Sequence, residues 1–181
     1  SNHLSWLDIP LIGIAMPRQI AFIAKKEYFH SPLHRRLVDL YGGFTVERGA
    51  VDGTALKIAF NILDEGRCLG IFPEGTRSKS LQLQEGHVGT AFIALHKNAY
   101  ILPIGVSGTE KIRIKFQGTT SIVYRPKVIV NIGESFRLPD VHGHPSRKDR
   151  DRSTDIIMRS IADLLPESYR GVYRDNADKK D

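Results

Sequence analysis

The sequence predicts one α/β domain, a mostly parallel mixed sheet flanked by helices. Three observations carry that expectation. The length of 181 residues, with 41% hydrophobic and 25% charged residues, suits a single globular core. Short β-rich runs alternate with amphipathic stretches of about ten residues or more, the pattern of strands joined by helical crossovers. No internal repeat and no long linker divides the chain.

The elements follow in order. "IAFIA" (20–24) reads as a strand, "LHRRLVDLYG" (33–42) as a helix closed by glycine, and "FTV" (44–46) as a second strand. "GTALKIAFNILDEG" (53–66) sets Leu56, Ala59, Ile62 and Leu63 at helical spacing before another glycine stop. "CLGIF" (68–72) has the unbroken apolar character of a buried strand. "VGTAFIALHK" (88–97) is the next helix, with Val88, Ala91, Phe92 and Leu95 on one face. "YILPIGV" (100–106) and "KVIVNI" (127–132) are further strands, and "TDIIMRSIADLL" (154–165) is a closing helix. "LPDVHGHPSRKDRDR" (138–152) reads as a surface loop before that helix. The domain is expected over residues 1–175, with 176–181 as a charged tail.

Several classes are excluded. The longest apolar run, "IPLIGIAM" (9–16), contains proline and glycine and falls far short of the about 20 residues a membrane helix needs. A lone Cys68 allows no intrachain disulfide, and no Cys/His set has zinc spacing, so a reducing compartment and no metal are expected. With neither an initiator methionine nor a signal pattern, the chain reads as a fragment whose upstream part, a membrane anchor included, lies outside it. Residues 81–130 hold six Lys/Arg against two Asp/Glu, which supplies four of the six excess positive charges. Such a local excess suits a polyanionic partner.

Two stretches carry chemistry. "NHLSWLD" (2–8) places His3 five residues before Asp8. A carboxylate a turn away can hold one ring nitrogen, fix the tautomer and leave the other nitrogen as a base. No G-x-S-x-G accompanies the pair, which suits a substrate that brings its own hydroxyl; a histidine bonded near an N-cap aspartate is the plainer alternative. "FPEGTRS" (72–78) follows a predicted strand. Gly75 permits close backbone approach, Thr76 and Ser78 bring hydroxyls, and Arg77 brings a planar fork that matches phosphate. Glu74 holds the turn or the arginine, and the whole stretch is otherwise a charged surface turn. "GGFTVERG" (42–49) sets Glu47 and Arg48 at a strand end, as a surface ion pair or as a second arginine for the same anion. Lys25 and Lys26 stand just past another strand end, solvated or contributing to an anion site.

Together "NHLSWLD", "GGFTVERG", "FPEGTRS" and "ILPIGVSG" resemble, in order and spacing, the glycerolipid acyltransferase family, of which lysophosphatidic acid acyltransferases are typical. The resemblance runs from residue 1 to about 110, with "VIVNIGESFRL" and "LLPESYRGVY" similar to the family's C-terminal portion. It implies a glycerol-3-phosphate acyltransferase-like fold and the transfer of a fatty acyl group from a thioester to lysophosphatidic acid. His3 would be the general base and Asp8 its orienting partner. Arg48, Glu74, Gly75, Thr76 and Arg77 would form the phosphate site, Lys25 and Lys26 would be auxiliary, and Pro103 would shape the acyl side. Glu47 stands where the family often has aspartate, and Gly105 where the fourth motif is usually bulkier. No cofactor is implied: acyl-CoA or acyl carrier protein is the donor substrate, and a lysophospholipid or glycerol 3-phosphate is the acceptor.

The same resemblance leaves glycerol 3-phosphate or another lysophospholipid as alternative acceptors. A non-catalytic domain that binds anionic lipid is the rival of another class, and the His3–Asp8 pair counts against it because binding alone needs no base. The chain is expected to be membrane-associated, facing the cytoplasm, with an anionic membrane surface as partner and no nucleic acid. "KIRIKF" (111–116) alternates strictly, putting Lys111, Arg113 and Lys115 on one side of an expected strand, with Arg125 and Lys127 following. That strip is either a guarded edge strand or a surface that rests on anionic headgroups.

Overall fold

The computed structural model describes residues 1–25, 44–46, 52–112, 126–141 and 143–174. Helix α1 (Asp8–Ala15) leads into strand β1 (Ile20–Lys25), followed by β2 (Phe44–Val46), α2 (Asp52–Asp64) and β3 (Cys68–Gly70). Helix α3 (Gly89–Lys97), strands β4 (Ile104–Ser107) and β5 (Ile129–Ile132), and helix α4 (Arg147–Asp163) complete the order. Two short 3-10 turns, Glu167–Tyr169 and Gly171–Tyr173, come after α4.

Strand β1 is central. It pairs in parallel with β2 (Ile23 opposite Phe44) and with β3 (Ile20 opposite Cys68), giving the order β2-β1-β3. Its residues Ile20, Ala21 and Phe22 are consecutive and all buried, which is what a strand covered on both faces requires. Strands β4 and β5 form an antiparallel pair, Ile104 opposite Ile132 and Ser107 opposite Ile129. The mixed α/β fold is therefore as expected. The helix anticipated over 33–42 falls outside the described residues.

Two apolar clusters organise the packing. One joins Ile12 of α1, Ile20 and Phe22 of β1, and Ile104 and Val106 of β4. The β4 strand thus meets the parallel sheet through side chains beneath α1. The other joins Ala91 and Ala94 of α3 to Ile157, Met158, Ile161 and Ala162 of α4. Fully burying a side chain such as Ile161 contributes about 1.5–3 kcal/mol, so this second cluster fixes the outer helices on the site's scaffold. Val88, expected on the buried face of α3, is instead the exposed residue ahead of it.

One expectation is corrected. The final helix begins at Arg147, inside the stretch read as loop. Ser146 and Asp149 form a capping box there, each side chain accepting from the other residue's backbone N–H. Ser-x-x-Asp satisfies two of the helix's orphan donors, which is sufficient to start a helix through a highly charged first turn.

Candidate active site

The five-residue spacing of His3 and Asp8 is explained by what lies between them. Asp8 is the first residue of α1 and fully buried. The chain from His3 to Leu7 wraps its carboxylate. Asp8 Oδ2 accepts from the backbone N–H of Leu4 at 2.7 Å, from that of Ser5 at 2.8 Å, and from His3 Nδ1 at 2.8 Å. Asp8 Oδ1 accepts from the Thr109 hydroxyl at 2.6 Å. Every group around the carboxylate is a donor, and the N-terminus of α1 adds its positive dipole end.

That environment sets the histidine. Facing an acceptor, Nδ1 carries the proton and Nε2 keeps its lone pair. The imidazole is stacked on Phe72, with ring centroids 4.0 Å apart and planes 14° from parallel. Phe72 in turn stacks on Phe22 of the central strand at 5.6 Å. The His3 side chain is 15% exposed, and Nε2 has no hydrogen-bond partner among the described residues. It is a fixed ring with one open nitrogen.

The neighbouring residue anchors the segment. Asn2 is 1% exposed; its Nδ2 donates to the Val106 carbonyl at 2.8 Å, and its Oδ1 accepts from Val106 N–H at 2.7 Å. The amide side chain behaves as a strand partner for β4. It satisfies the two Val106 backbone groups that do not face β5.

The second motif locks onto the first. After β3 the chain turns at Phe72–Gly75, closed by Gly75 N–H donating to the Phe72 carbonyl at 3.0 Å. Gly75 has φ +66°, and a Cβ there would stand 2.9 Å from Cδ2 of His87. Only glycine meets both conditions. His87 N–H donates to the Pro73 carbonyl, bringing the far end of the 78–87 loop back over the turn. Ser78 N–H donates to the His3 carbonyl at 2.8 Å. His3 N–H donates to Glu74 Oε1 at 2.8 Å, while Gln84 N–H donates to Oε2 at 3.0 Å. Both backbone groups of His3 are therefore held by the FPEGTRS stretch.

Glu74, expected in the phosphate site, is 3% exposed and turned inward, with both oxygens engaged by backbone donors from two loops. Burial pushes its carboxyl above the ordinary 4.5, and the backbone hydrogen bonds from Gln84 and His3 act in the opposite direction.

Gly75, Thr76 and Arg77 are exposed on the same turn, immediately beyond Glu74. Arg77 makes no hydrogen bond or ion pair among the described residues. Lys25 ends β1. Pro103 is buried ahead of β4, its carbonyl accepting from Gly133 N–H at 3.0 Å. Arg48 and Lys26 lie outside the described residues, as do Arg113, Lys115 and Arg125 of the basic strip. Lys111 does not begin a strand: it closes a 3-10 turn, Thr109–Lys111. Asn2, Phe72 and Thr109 are site residues that motif reasoning leaves unassigned. Asn2 and Phe72 are visible beside the key residues; nothing in the sequence singles out Thr109.

Comparison with known proteins places the chain in a family. A family model described as Acyltransferase matches residues 1–107. The chain is 28% identical over 165 residues to the 1-acyl-sn-glycerol-3-phosphate acyltransferase of Bacillus subtilis, covering 90% of this chain and 78% of that protein. It is 33% identical over 108 residues to the lyso-ornithine lipid O-acyltransferase of Pseudomonas aeruginosa, covering 59% and 41%. The crystal structure of the 1-acyl-sn-glycerophosphate (LPA) acyltransferase PlsC from Thermotoga maritima superposes with TM-score 0.64 at 29% identity. That match covers 90% of this chain and 64% of the other. The chain thus spans most of the Bacillus relative, and less than two thirds of the other two.

Proposed function

This chain belongs to the acyltransferase family, and on that premise we propose that it acylates lysophosphatidic acid to phosphatidic acid, with an acyl thioester as donor. The observation that carries the chemistry is the His3 imidazole, with Nδ1 tied to buried Asp8, Nε2 unpartnered among the described residues, and its backbone N–H held by Glu74. Among the described residues no serine, threonine or cysteine side chain is bonded to Nε2, so the nucleophile comes with the acceptor. His3 Nε2 takes the proton of the acceptor hydroxyl as its oxygen attacks the thioester carbonyl. The C–O bond forms, the C–S bond breaks, and the imidazolium returns the proton to the departing thiolate. Asp8 stabilises the imidazolium between these steps. General-base assistance of this kind contributes about 10²- to 10⁴-fold.

Arg77 binds the acceptor phosphate, with Arg48 as its expected companion. Their guanidinium forks bring the free hydroxyl to the base. The names of the Bacillus and Thermotoga relatives support lysophosphatidic acid as acceptor. The name of the Pseudomonas relative supports a second reading, O-acylation of a different lysolipid. Acyl-CoA and acyl carrier protein are both suitable donors.

No helix among the described residues is long and apolar enough to cross a membrane. With lipid substrates the working enzyme nonetheless sits at a bilayer surface, on the cytoplasmic side where acyl thioesters are made. Lys111 and Lys127 are exposed and suit anionic headgroups.

The test measures thiol release and lipid product with acyl-CoA and with acyl carrier protein, offering lysophosphatidic acid, glycerol 3-phosphate and lyso-ornithine lipid in parallel. Preference for lysophosphatidic acid supports the proposal. Preference for lyso-ornithine lipid moves it to the second reading, and binding of anionic lipid without thiol release would reduce the chain to a lipid-binding domain.

A further inference from the structure

We infer that Thr109 is a positioning residue of the base, a role that rests on His3 acting as proposed above. Asp8 is shared between two partners, one on each oxygen: His3 Nδ1 on Oδ2 and the Thr109 hydroxyl on Oδ1. Thr109 is fully buried and more than a hundred residues away in sequence. Its hydroxyl is the only side-chain donor besides His3 that reaches this carboxylate among the described residues. The backbone N–H groups of Leu4 and Ser5 crowd Oδ2 as well. Without the Thr109 hydroxyl, Oδ1 is buried with no donor and the plane of the carboxylate is held from the Oδ2 side alone.

The hydroxyl is itself well held. Thr109 follows Gly108, which has φ +89° and sits so close to the Lys127 carbonyl that a Cβ would collide with it. Thr109 also opens the 3-10 turn that ends β4, the strand Asn2 clips through Val106. Asn2 and Thr109 therefore tie the two ends of the base segment, one beside His3 and one at Asp8, to the same strand.

The hydroxyl also tunes the charge on Asp8. Its dipole places positive charge on Oδ1 and weakens the negative potential at His3. Removing it leaves Asp8 more strongly negative toward the ring. The titratable groups around this corner are His3, Asp8, Glu74 and the buried α-amino group of Ser1, with Glu74 bonded to the His3 backbone and Ser1 to the Ile71 carbonyl; Glu110, beside Thr109, is occupied by the Tyr169 hydroxyl. None of these is altered by Thr109→Val.

The experiment compares Thr109→Val, Thr109→Cys and Thr109→Ser with wild type. It follows kcat, acceptor KM and the pH profile of kcat/KM. Loss of one such hydrogen bond predicts a kcat lower by about ten- to a hundredfold in Thr109→Val, with KM changed by less than about twofold. The acidic limb of the kcat/KM profile moves to higher pH. Thr109→Ser restores both, and Thr109→Cys, a weak donor, lies between. If Thr109→Val fails to fold, the Ser and Cys variants still rank the effect by donor strength. A folded valine variant with wild-type kcat and an unmoved pH profile overturns the inference, as does equal behaviour of Ser and Cys variants when valine does not fold. His3→Ala is run alongside. If it keeps turnover, the base reading itself fails; if it is inactive while Thr109→Val is normal, only the role of Thr109 fails.

Discussion

The His3–Asp8 corner and the Thr76–Arg77 turn are adjacent but built on opposite principles. In the corner each polar group is spoken for. Asp8 has four donors, His3 is held at both backbone groups and one ring nitrogen, and Asn2 is bonded twice to β4. Only Nε2 is left open. On the turn, Gly75, Thr76 and Arg77 are exposed, and Arg77 forms no hydrogen bond or ion pair with another described residue. The difference matches the roles proposed for the two regions. A base contributes by being in place before the proton moves, so its position is specified by the protein. An anion-binding group gets its partner from the ligand, and a strong internal ion pair would compete for it. Glu74 lies between them, with its carboxylate on the corner and the chain continuing outward into the turn.

This contrast predicts that the two regions fail differently. The largest effect belongs to the open nitrogen. His3→Ala should reduce kcat by about 10²- to 10⁴-fold, with a thermal midpoint close to wild type because the ring is at the rim of the core. Asp8→Asn should also be severely slowed, since it places an amide where three donors converge on Oδ2. Turnover near wild type in a folded His3→Ala protein would sever the corner from the chemistry.

Next comes the anchor. Asn2→Ala leaves the N–H and C=O of Val106 buried without partners, at about 1–3 kcal/mol each. Unfolding in denaturant should show a loss of about 2–5 kcal/mol, accompanied by a fall in kcat. If Asn2→Ala loses neither stability nor activity, the corner is less tightly specified than its hydrogen bonds indicate.

How much of this is legible in the sequence divides along the same line. The strands at 20, 44, 68 and 129 are legible as short apolar runs, and the helices α2 and α3 by the helical spacing of their apolar residues. The pairing of His3 with Asp8 is legible because it is short-range. The Asn2–Val106 clip and the Thr109 hydrogen bond are not, because they join residues about a hundred positions apart and depend on which edge of β4 is uncovered. Glu74 reads as part of the phosphate site because a motif gives a residue's neighbours in sequence and not the direction of its side chain. The start of α4 is legible in principle, as Ser146-x-x-Asp149, but charge density there suggests a loop.

A smaller effect sharpens the contrast from the outer side. Arg77→Lys keeps the charge and loses the planar fork. The expected result is about a tenfold higher KM for a phosphorylated acceptor, with kcat and the unfolding midpoint little changed. Raised KM for lysophosphatidic acid but not for an acceptor without phosphate would identify the group Arg77 binds. A drop in kcat at constant KM would place Arg77 with the preorganised corner instead.

The smallest effect tests the boundary, and its sign is the informative part. Burial raises the Glu74 carboxyl above 4.5, while the hydrogen bonds from Gln84 and His3 lower it. With burial dominant, the folded protein binds the Glu74 proton more tightly than the unfolded chain does. The associated stability is then fully present below the unfolded value of 4.5 and is lost as pH rises through the folded value. The amide introduced by Glu74→Gln does not titrate, so subtracting the unfolding free energy of that variant from that of wild type leaves this contribution together with the coupling of Glu74 to the Ser1 α-amino group, whose pKa burial pulls down to about 5. The amide's loss of one backbone partner adds an offset that does not vary with pH. The difference, measured in denaturant melts from about pH 4 to about pH 7, should fall as pH rises. A difference that rises instead would mean the two backbone donors outweigh burial, and Glu74 would then be an ionised clamp as firmly set as Asp8. A falling difference marks Glu74 as the point where the preorganised corner gives way to the turn that awaits its ligand.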